Sequence, residues 1–109
     1  LRKERRGDQD VVINFPDLSD FAGKMPVLVD DVISSGRTME VAAQQLGKSG
    51  FSRPICLAAH GILADDAHAR LVAAGAFVVV TNTIPGRAAL LDIHPLFAEL
   101  IKPQLRERT

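Results

Sequence analysis

The chain contains no tryptophan and no tyrosine, and its aromatic content stops at five phenylalanines, so any core it builds is packed mainly with aliphatic side chains. Cysteine is nearly absent. Cys56 stands alone, which excludes an intrachain disulfide, and its place inside an apolar run marks it as a small buried hydrophobe. Net charge is absent as well: thirteen Lys and Arg balance thirteen Asp and Glu. That removes the broad electrostatic case for a nucleic-acid or membrane partner. No apolar run approaches the length that crosses a bilayer, and no signal-peptide pattern is visible, so a cytoplasmic setting is expected. The histidines, at 60, 68 and 94, have no zinc-ligand spacing, and no metal site is assigned to the chain.

What is present suits one small domain with a real core. Apolar residues make up 47% of the 109, without internal repeat, low-complexity tract or linker. The pattern predicts a strand at Val11 to Phe15, a turn through Pro16 to Gly23, a strand at Val27 to Val29 and a helix from Thr38 to about Ser49. It then repeats, with a strand at Pro54 to Ala59, a helix at Asp65 to Ala74 and a strand at Phe77 to Val80. A short strand at Ala89 to Ile93 and a helix from Leu96 to Leu105, kinked near Pro103, close the chain. Alternating strand and helix implies an α/β fold with a parallel sheet.

The densest chemistry lies at Val27-Leu28-Val29-Asp30-Asp31-Val32-Ile33-Ser34-Ser35-Gly36-Arg37-Thr38. A continuous apolar run suits a strand buried on both faces, and Asp30 and Asp31 fall where such a strand should emerge, at the edge where α/β sheets bind ligands. Ser34, Ser35, Gly36 and Thr38 are small or hydroxylated, so backbone N–H groups can turn inward around a phosphate. Met39, Ala42, Ala43 and Leu46 recur at helical spacing, which aims a helix amino terminus at the same loop. The two carboxylates can accept hydrogen bonds from vicinal ribose hydroxyls. Any one of these residues alone reads as an ordinary strand-to-helix turn or an N-cap; together they describe a ribose-phosphate site. Arg37 either reaches the phosphate or stays solvated on the outer side of the loop.

This segment resembles the phosphoribosyl pyrophosphate motif shared by type I phosphoribosyltransferases and the phosphoribosyl pyrophosphate synthetases, also called ribose-phosphate diphosphokinases. The downstream chain is more similar to the synthetases: Ala58-Ala59-His60-Gly61-Ile62-Leu63, Val80-Thr81-Asn82-Thr83-Ile84-Pro85 and His94-Pro95-Leu96-Phe97-Ala98-Glu99-Leu100-Ile101 each resemble a synthetase segment at comparable spacing. The chain departs from that pattern at Ser34 and Ser35, where an Asp and a Thr are usual, at Arg37, where a small residue is usual, and at Asn82, where an Asp is usual.

Arg2, Lys3, Arg5 and Arg6 crowd just before Gly7 and Asp8, and by itself such a run is a solvated face or mobile arm. The resemblance assigns more. In the synthetases a Lys-x-Arg pair begins a mobile catalytic loop over the nucleotide phosphates, and Lys3-Glu4-Arg5 matches it, which makes Lys3 and Arg5 the implied catalytic cations.

The resemblance implies a three-layer parallel sheet with flanking helices, type I phosphoribosyltransferase-like. It also implies that residues 1–109 form a carboxy-terminal domain of a tandem two-domain protein, the chain opening at Leu1 as a fragment would. The implied reaction moves the diphosphoryl group of Mg-ATP to ribose 5-phosphate, giving phosphoribosyl pyrophosphate and AMP. Asp30 and Asp31 would hold the ribose hydroxyls, Ser34, Ser35, Gly36, Arg37 and Thr38 the 5-phosphate, and Mg²⁺ would arrive with ATP. A homo-oligomer is expected from the same source. Two other functions use the same fold: a type I phosphoribosyltransferase consuming phosphoribosyl pyrophosphate, and a non-catalytic synthetase-associated regulatory subunit. Retention of Lys3, Arg5, Asp30 and Asp31 argues against the second.

Overall fold

Strand and helix alternate from Val27 to Thr81, as the apolar pattern requires, and one more strand then follows without an intervening helix. In the computed structural model, which describes residues 2–6 and 10–108, the sheet strands are β3 (Val27–Ile33), β4 (Ile55–Gly61), β5 (Phe77–Thr81) and β6 (Ala89–Leu91), all parallel and in that order. They are preceded by an antiparallel hairpin of β1 (Arg2–Arg6) and β2 (Asp10–Asn14) and a short 3-10 turn at Ser19–Phe21. Helices α1 (Arg37–Lys48) and α2 (Ala67–Ala73) make the β3-to-β4 and β4-to-β5 crossovers, and α3 (His94–Arg108) follows β6.

Because successive strands step one way across the sheet, right-handed crossovers put α1 and α2 on the same face. The burial pattern agrees. Leu28, Cys56, Ala58, Val78 and Val80 are buried together with Met39, Ala42, Ala43 and Leu46 of α1 and Leu71 of α2. The α1 set falls at i, i+3, i+4 and i+7, the stripe that one helix face presents to a sheet. Full burial of a side chain such as Leu46 or Leu71 stabilises the fold by about 1.5–3 kcal/mol. The alternate sheet residues Val27, Val29 and Phe77 are 48%, 71% and 48% exposed. Strand β2 packs on α1 and contributes Ile13 to the core.

The expected α/β sheet with flanking helices forms; β6 stops at Leu91, α2 spans Ala67–Ala73 and α3 spans His94–Arg108, and four further differences bear on the loop, the hairpin and the last helix. First, β3 continues through Asp30 and Asp31 to Ile33, because pairing of Asp30 with Ala58, Val32 with His60 and Ile33 with Gly61 extends the ladder past the apolar residues. Second, α1 begins at Arg37 and not at Thr38, leaving Ser34, Ser35 and Gly36 as the connection. Third, Lys3 and Arg5 lie in β1 and not at the start of a loop. Val11, Val12 and Ile13 form a strand, and β1 pairs with it, Lys3 opposite Ile13 and Arg5 opposite Val11. Residues 7–9, with Gly7 and Asp8, and Leu1 lie outside the described residues, as does the side chain of Arg5. Fourth, α3 is continuous through Pro103. The Glu99 carbonyl that loses its helical donor there belongs to an exposed residue, where solvent can replace the bond.

No helix among the described residues is long and apolar enough to cross a membrane.

Candidate functional site

Three consecutive carbonyls at the end of β3 are held from one side. The N–H groups of Ile62 and Leu63 both donate to the Ile33 carbonyl at 3.0 Å, and Ala64 N–H donates to the Ser34 carbonyl at 2.8 Å. The Ser35 carbonyl accepts from Arg70 Nη2. Every peptide here is trans, so each carbonyl and the next residue's N–H point in opposite directions. The N–H groups of Ser34, Ser35 and Gly36 consequently turn away from the β4–α2 segment. Among the described residues none of the three meets a backbone acceptor. A run of amides turned to one side is the arrangement from which an anion-binding nest can be built, and the amino end of α1, with its partial positive charge, follows directly.

Gly36 closes the loop in the left-handed region, with φ of 72°. A Cβ there would sit 3.2 Å from Ala67 Cβ and 3.4 Å from Leu71 Cδ1, so the loop lies close against α2. Arg70, on α2, also donates to Glu40 Oε2 at 2.6 Å and, through Nε, to the Asp65 carbonyl at 3.2 Å. One guanidinium thus joins the first turn of α1, the loop and the β4–α2 connection. That connection is itself strained: Leu63, Asp65 and Asp66 all have positive φ, at 52°, 53° and 59°.

Asp30 and Asp31 are exposed on β3 immediately before the loop. Asp30 Oδ1 accepts the Asp31 N–H at 2.8 Å, and Asp31 Oδ1 accepts the Val32 N–H at 2.8 Å. The Asp30 carboxyl beside it, and then the Val32 N–H, hold the Asp31 carboxyl below its usual range, so it stays ionised at neutral pH. Each carboxylate keeps acceptor capacity for a sugar hydroxyl.

His60 occupies the neighbouring strand. Its Nδ1 is 2.8 Å from Thr83 Oγ1, while Thr81 Oγ1 donates to the Ala59 carbonyl at 2.6 Å, tying the ends of β4 and β5 together. An adjacent cleft of about 390 Å³ lies between the β4–α2 and β5–β6 connections, lined in part by Leu63, His68, Ile84 and Arg87; it does not include Asp30 or Asp31. Among the described residues no three His, Cys, Asp or Glu side chains gather as a metal cage.

Asp30 and Asp31 lie on β3, and Ser34, Ser35 and Gly36 follow in the connection to α1. Thr38 is half-buried in the first turn of α1, and Arg37 is exposed beside it. Lys3 is exposed on β1, and no ion pair or hydrogen bond among the described residues joins it to either aspartate. Sequence reasoning missed Arg70, Glu40 and Ala64. Arg70 is 30 residues from Glu40 and 35 from Ser35, and nothing local to α2 marks it.

Comparison with known proteins adds independent findings. Residues 13–102 match the model of the phosphoribosyl synthetase-associated domain. Ribose-phosphate pyrophosphokinase of Helicobacter hepaticus is 36% identical over 107 residues, covering 93% of this chain and 34% of that protein. The Sulfurisphaera tokodaii ribose-phosphate pyrophosphokinase is 35% identical over 107 residues, covering 93% of this chain and 36% of that protein. The crystal structure of phosphoribosylpyrophosphate synthetase from Mycobacterium smegmatis superposes with a TM-score of 0.69 at 32% identity, covering 96% of this chain and 36% of that one. The chain spans about a third of the length of these relatives. The resemblance carried by the sequence motifs is borne out.

Proposed function

The chain belongs to the phosphoribosyl synthetase-associated domain family, and from that premise we propose that it binds ribose 5-phosphate for diphosphoryl transfer from ATP, yielding phosphoribosyl pyrophosphate and AMP. The single observation that carries this reading is the row of three amide N–H groups, at Ser34, Ser35 and Gly36, just beyond two ionisable carboxylates on the same strand. A phosphate sits in the nest and the ribose hydroxyls reach Asp30 and Asp31. Arg37 and Thr38, in the first turn of α1, add donors at the rim of the nest.

In the proposed reaction the anomeric oxygen of ribose 5-phosphate attacks the β-phosphorus of ATP. The bond from that phosphorus to the oxygen bridging it to the α-phosphate breaks, AMP leaves, and the hydroxyl proton passes to solvent. Positioning and charge neutralisation do most of the work in such transfers. Lys3 and Arg5, both on β1, are assigned to the nucleotide phosphates. Mg²⁺ enters as part of the Mg-ATP substrate and keeps mostly phosphate and water ligands, since it dehydrates reluctantly. Residues 1–109 act as the carboxy-terminal, phosphoribosyltransferase-like domain of a two-domain, homo-oligomeric protein.

Titration of the chain with ribose 5-phosphate, followed by backbone amide shifts, tests the site. Shifts at Ser34, Ser35 and Gly36 are expected; shifts confined to other segments would overturn it. For the reaction, full-length protein with ribose 5-phosphate, ATP and Mg²⁺ should release AMP, and omission of any one should stop release. Consumption of phosphoribosyl pyrophosphate with a purine or pyrimidine base, without AMP release, would assign a phosphoribosyltransferase instead.

A further inference from the structure

We propose that Arg70 is a positioning residue of the ribose 5-phosphate site, fixing the direction of the Gly36 N–H by holding the Ser35 carbonyl on the opposite side of the same peptide plane; this rests on the function proposed above. The other two amides of the nest need no side chain. Ser34 N–H is set by the Ile62 and Leu63 amides on the Ile33 carbonyl, and Ser35 N–H by the Ala64 amide on the Ser34 carbonyl. Only the third peptide relies on a side chain. Arg70 Nη2 holds the Ser35 carbonyl, Nη1 is anchored on Glu40 and Nε on the Asp65 carbonyl.

A guanidinium is required by that arrangement. Its donors diverge in one rigid plane, so three acceptors on three separate segments fix its position and orientation together. A lysine ammonium at the same place is a point charge that can stay on Glu40 and release the carbonyl. Gly36 has no Cβ to restrict its φ, so the hydrogen bond from Arg70 to the Ser35 carbonyl is the contact that orients the 35–36 peptide plane. Arg70 is half-buried, its side chain 24% exposed, and it meets the Ser35–Gly36 peptide on the carbonyl side, opposite the Gly36 N–H. Its effect on the ligand is transmitted through the Ser35–Gly36 peptide and not by contact.

The test compares Arg70→Lys with Glu40→Gln in the otherwise unchanged chain, using ribose 5-phosphate as the probe and amide shifts as the readout. In the unsubstituted chain the amides of Ser34, Ser35 and Gly36 should all respond. In Arg70→Lys the Gly36 response should be lost while Ser34 and Ser35 still respond, and affinity should fall about tenfold, the scale of one charge-assisted hydrogen bond. Glu40→Gln retains an acceptor for Nη1 and should stay within about twofold of the parent. An unchanged Gly36 response in Arg70→Lys, or equal losses in both variants, would overturn the proposal. Absence of any loop response in the unsubstituted chain would instead remove the ribose 5-phosphate site itself. Should Arg70→Lys not fold, exchange of the Arg70 Nη2 protons in the unsubstituted chain decides between the outcomes: slowing on addition of ribose 5-phosphate supports the coupling, and no change overturns it.

Discussion

Asn82, just after β5, and Asp92, just after β6, are joined: Asn82 Nδ2 donates to Asp92 Oδ1 at 3.0 Å, while Asn82 Oδ1 accepts the Ile93 N–H at 2.9 Å. An amide can do both because it carries a donor and an acceptor on one plane. An aspartate at 82, the residue usual in the synthetase pattern, would keep the acceptor and set a second carboxylate against Asp92. The substitution is therefore matched to its partner in this chain.

Replacing Asn82→Asp should lower the melting temperature at pH 7. The Asp92 carboxyl is held below its usual range by the His94 N–H and then by the Asn82 amide, so stability from it is present above the unfolded value and lost as pH falls through the lowered folded one. The variant loses the amide contribution and gains like-charge repulsion. Its deficit should shrink as the pH is brought down to about 4, near the unperturbed carboxylate range. A deficit that stays constant with pH would remove the charge explanation.

Gly61 has no room for a methyl group, since a Cβ would meet Val80 Cγ2 at 2.7 Å and Val80 sits 1% exposed in the core. Gly61→Ala should cost about 1–3 kcal/mol by overpacking. Combining it with Val80→Ala should cost less than the sum of the two single changes, measured by urea denaturation as a coupling of roughly 0.5–3 kcal/mol.

Gly36→Ala combines two penalties, the left-handed backbone at φ 72° and the approach to Ala67 and Leu71. A loss of about 1–2 kcal/mol in stability is expected from the backbone alone. Ribose 5-phosphate affinity should fall with it, because the loop can relieve the strain only by moving its amides. Isothermal titration beside a denaturation curve separates the two effects.

Burial pushes the Cys56 thiol up to about 11 from an ordinary 9.0. In the folded chain it should resist alkylation at pH 8 and react once the chain is unfolded, since the thiolate is the nucleophile. The unfolded chain gives up this proton first as pH rises, so stability should decline between about pH 9 and 11 through this group. Cys56→Ala should flatten that part of the profile.

Lys3→Ala and Asp31→Ala should separate in kinetics of the full-length protein. The lysine is assigned to charge developing in the transition state, so its loss should lower kcat with little change in KM for ribose 5-phosphate. The aspartate is assigned to the sugar, and its loss should weaken ribose 5-phosphate binding roughly tenfold. Equal effects on that KM from both changes would reassign one of them.

Much of the fold is legible from residues alone. The stripe at Met39, Ala42, Ala43 and Leu46 fixes α1 to within a residue, and the apolar runs mark β4 and β5, because periodicity reports directly which side chains meet a core. Asp30 and Asp31 lie inside their strand and not beyond it, since polarity does not end a ladder that a neighbour can continue. The hairpin partner of Val11 to Ile13 is a charged segment whose strand character comes from pairing, and charge pattern does not report that. Arg70 is invisible in the sequence for a different reason: its role depends on where the Ser35 carbonyl lies, a contact across 35 residues that exists only in the folded chain.

The pinned carbonyls of Ile33, Ser34 and Ser35 have a consequence for the time course of binding. Ordering a residue's backbone costs about 1–2 kcal/mol of conformational entropy. For this loop that loss is incurred when the chain folds, before any phosphate arrives. Stopped-flow traces of ribose 5-phosphate binding should thus be single-exponential, with an observed rate rising linearly in ligand concentration and no plateau from a slow loop rearrangement.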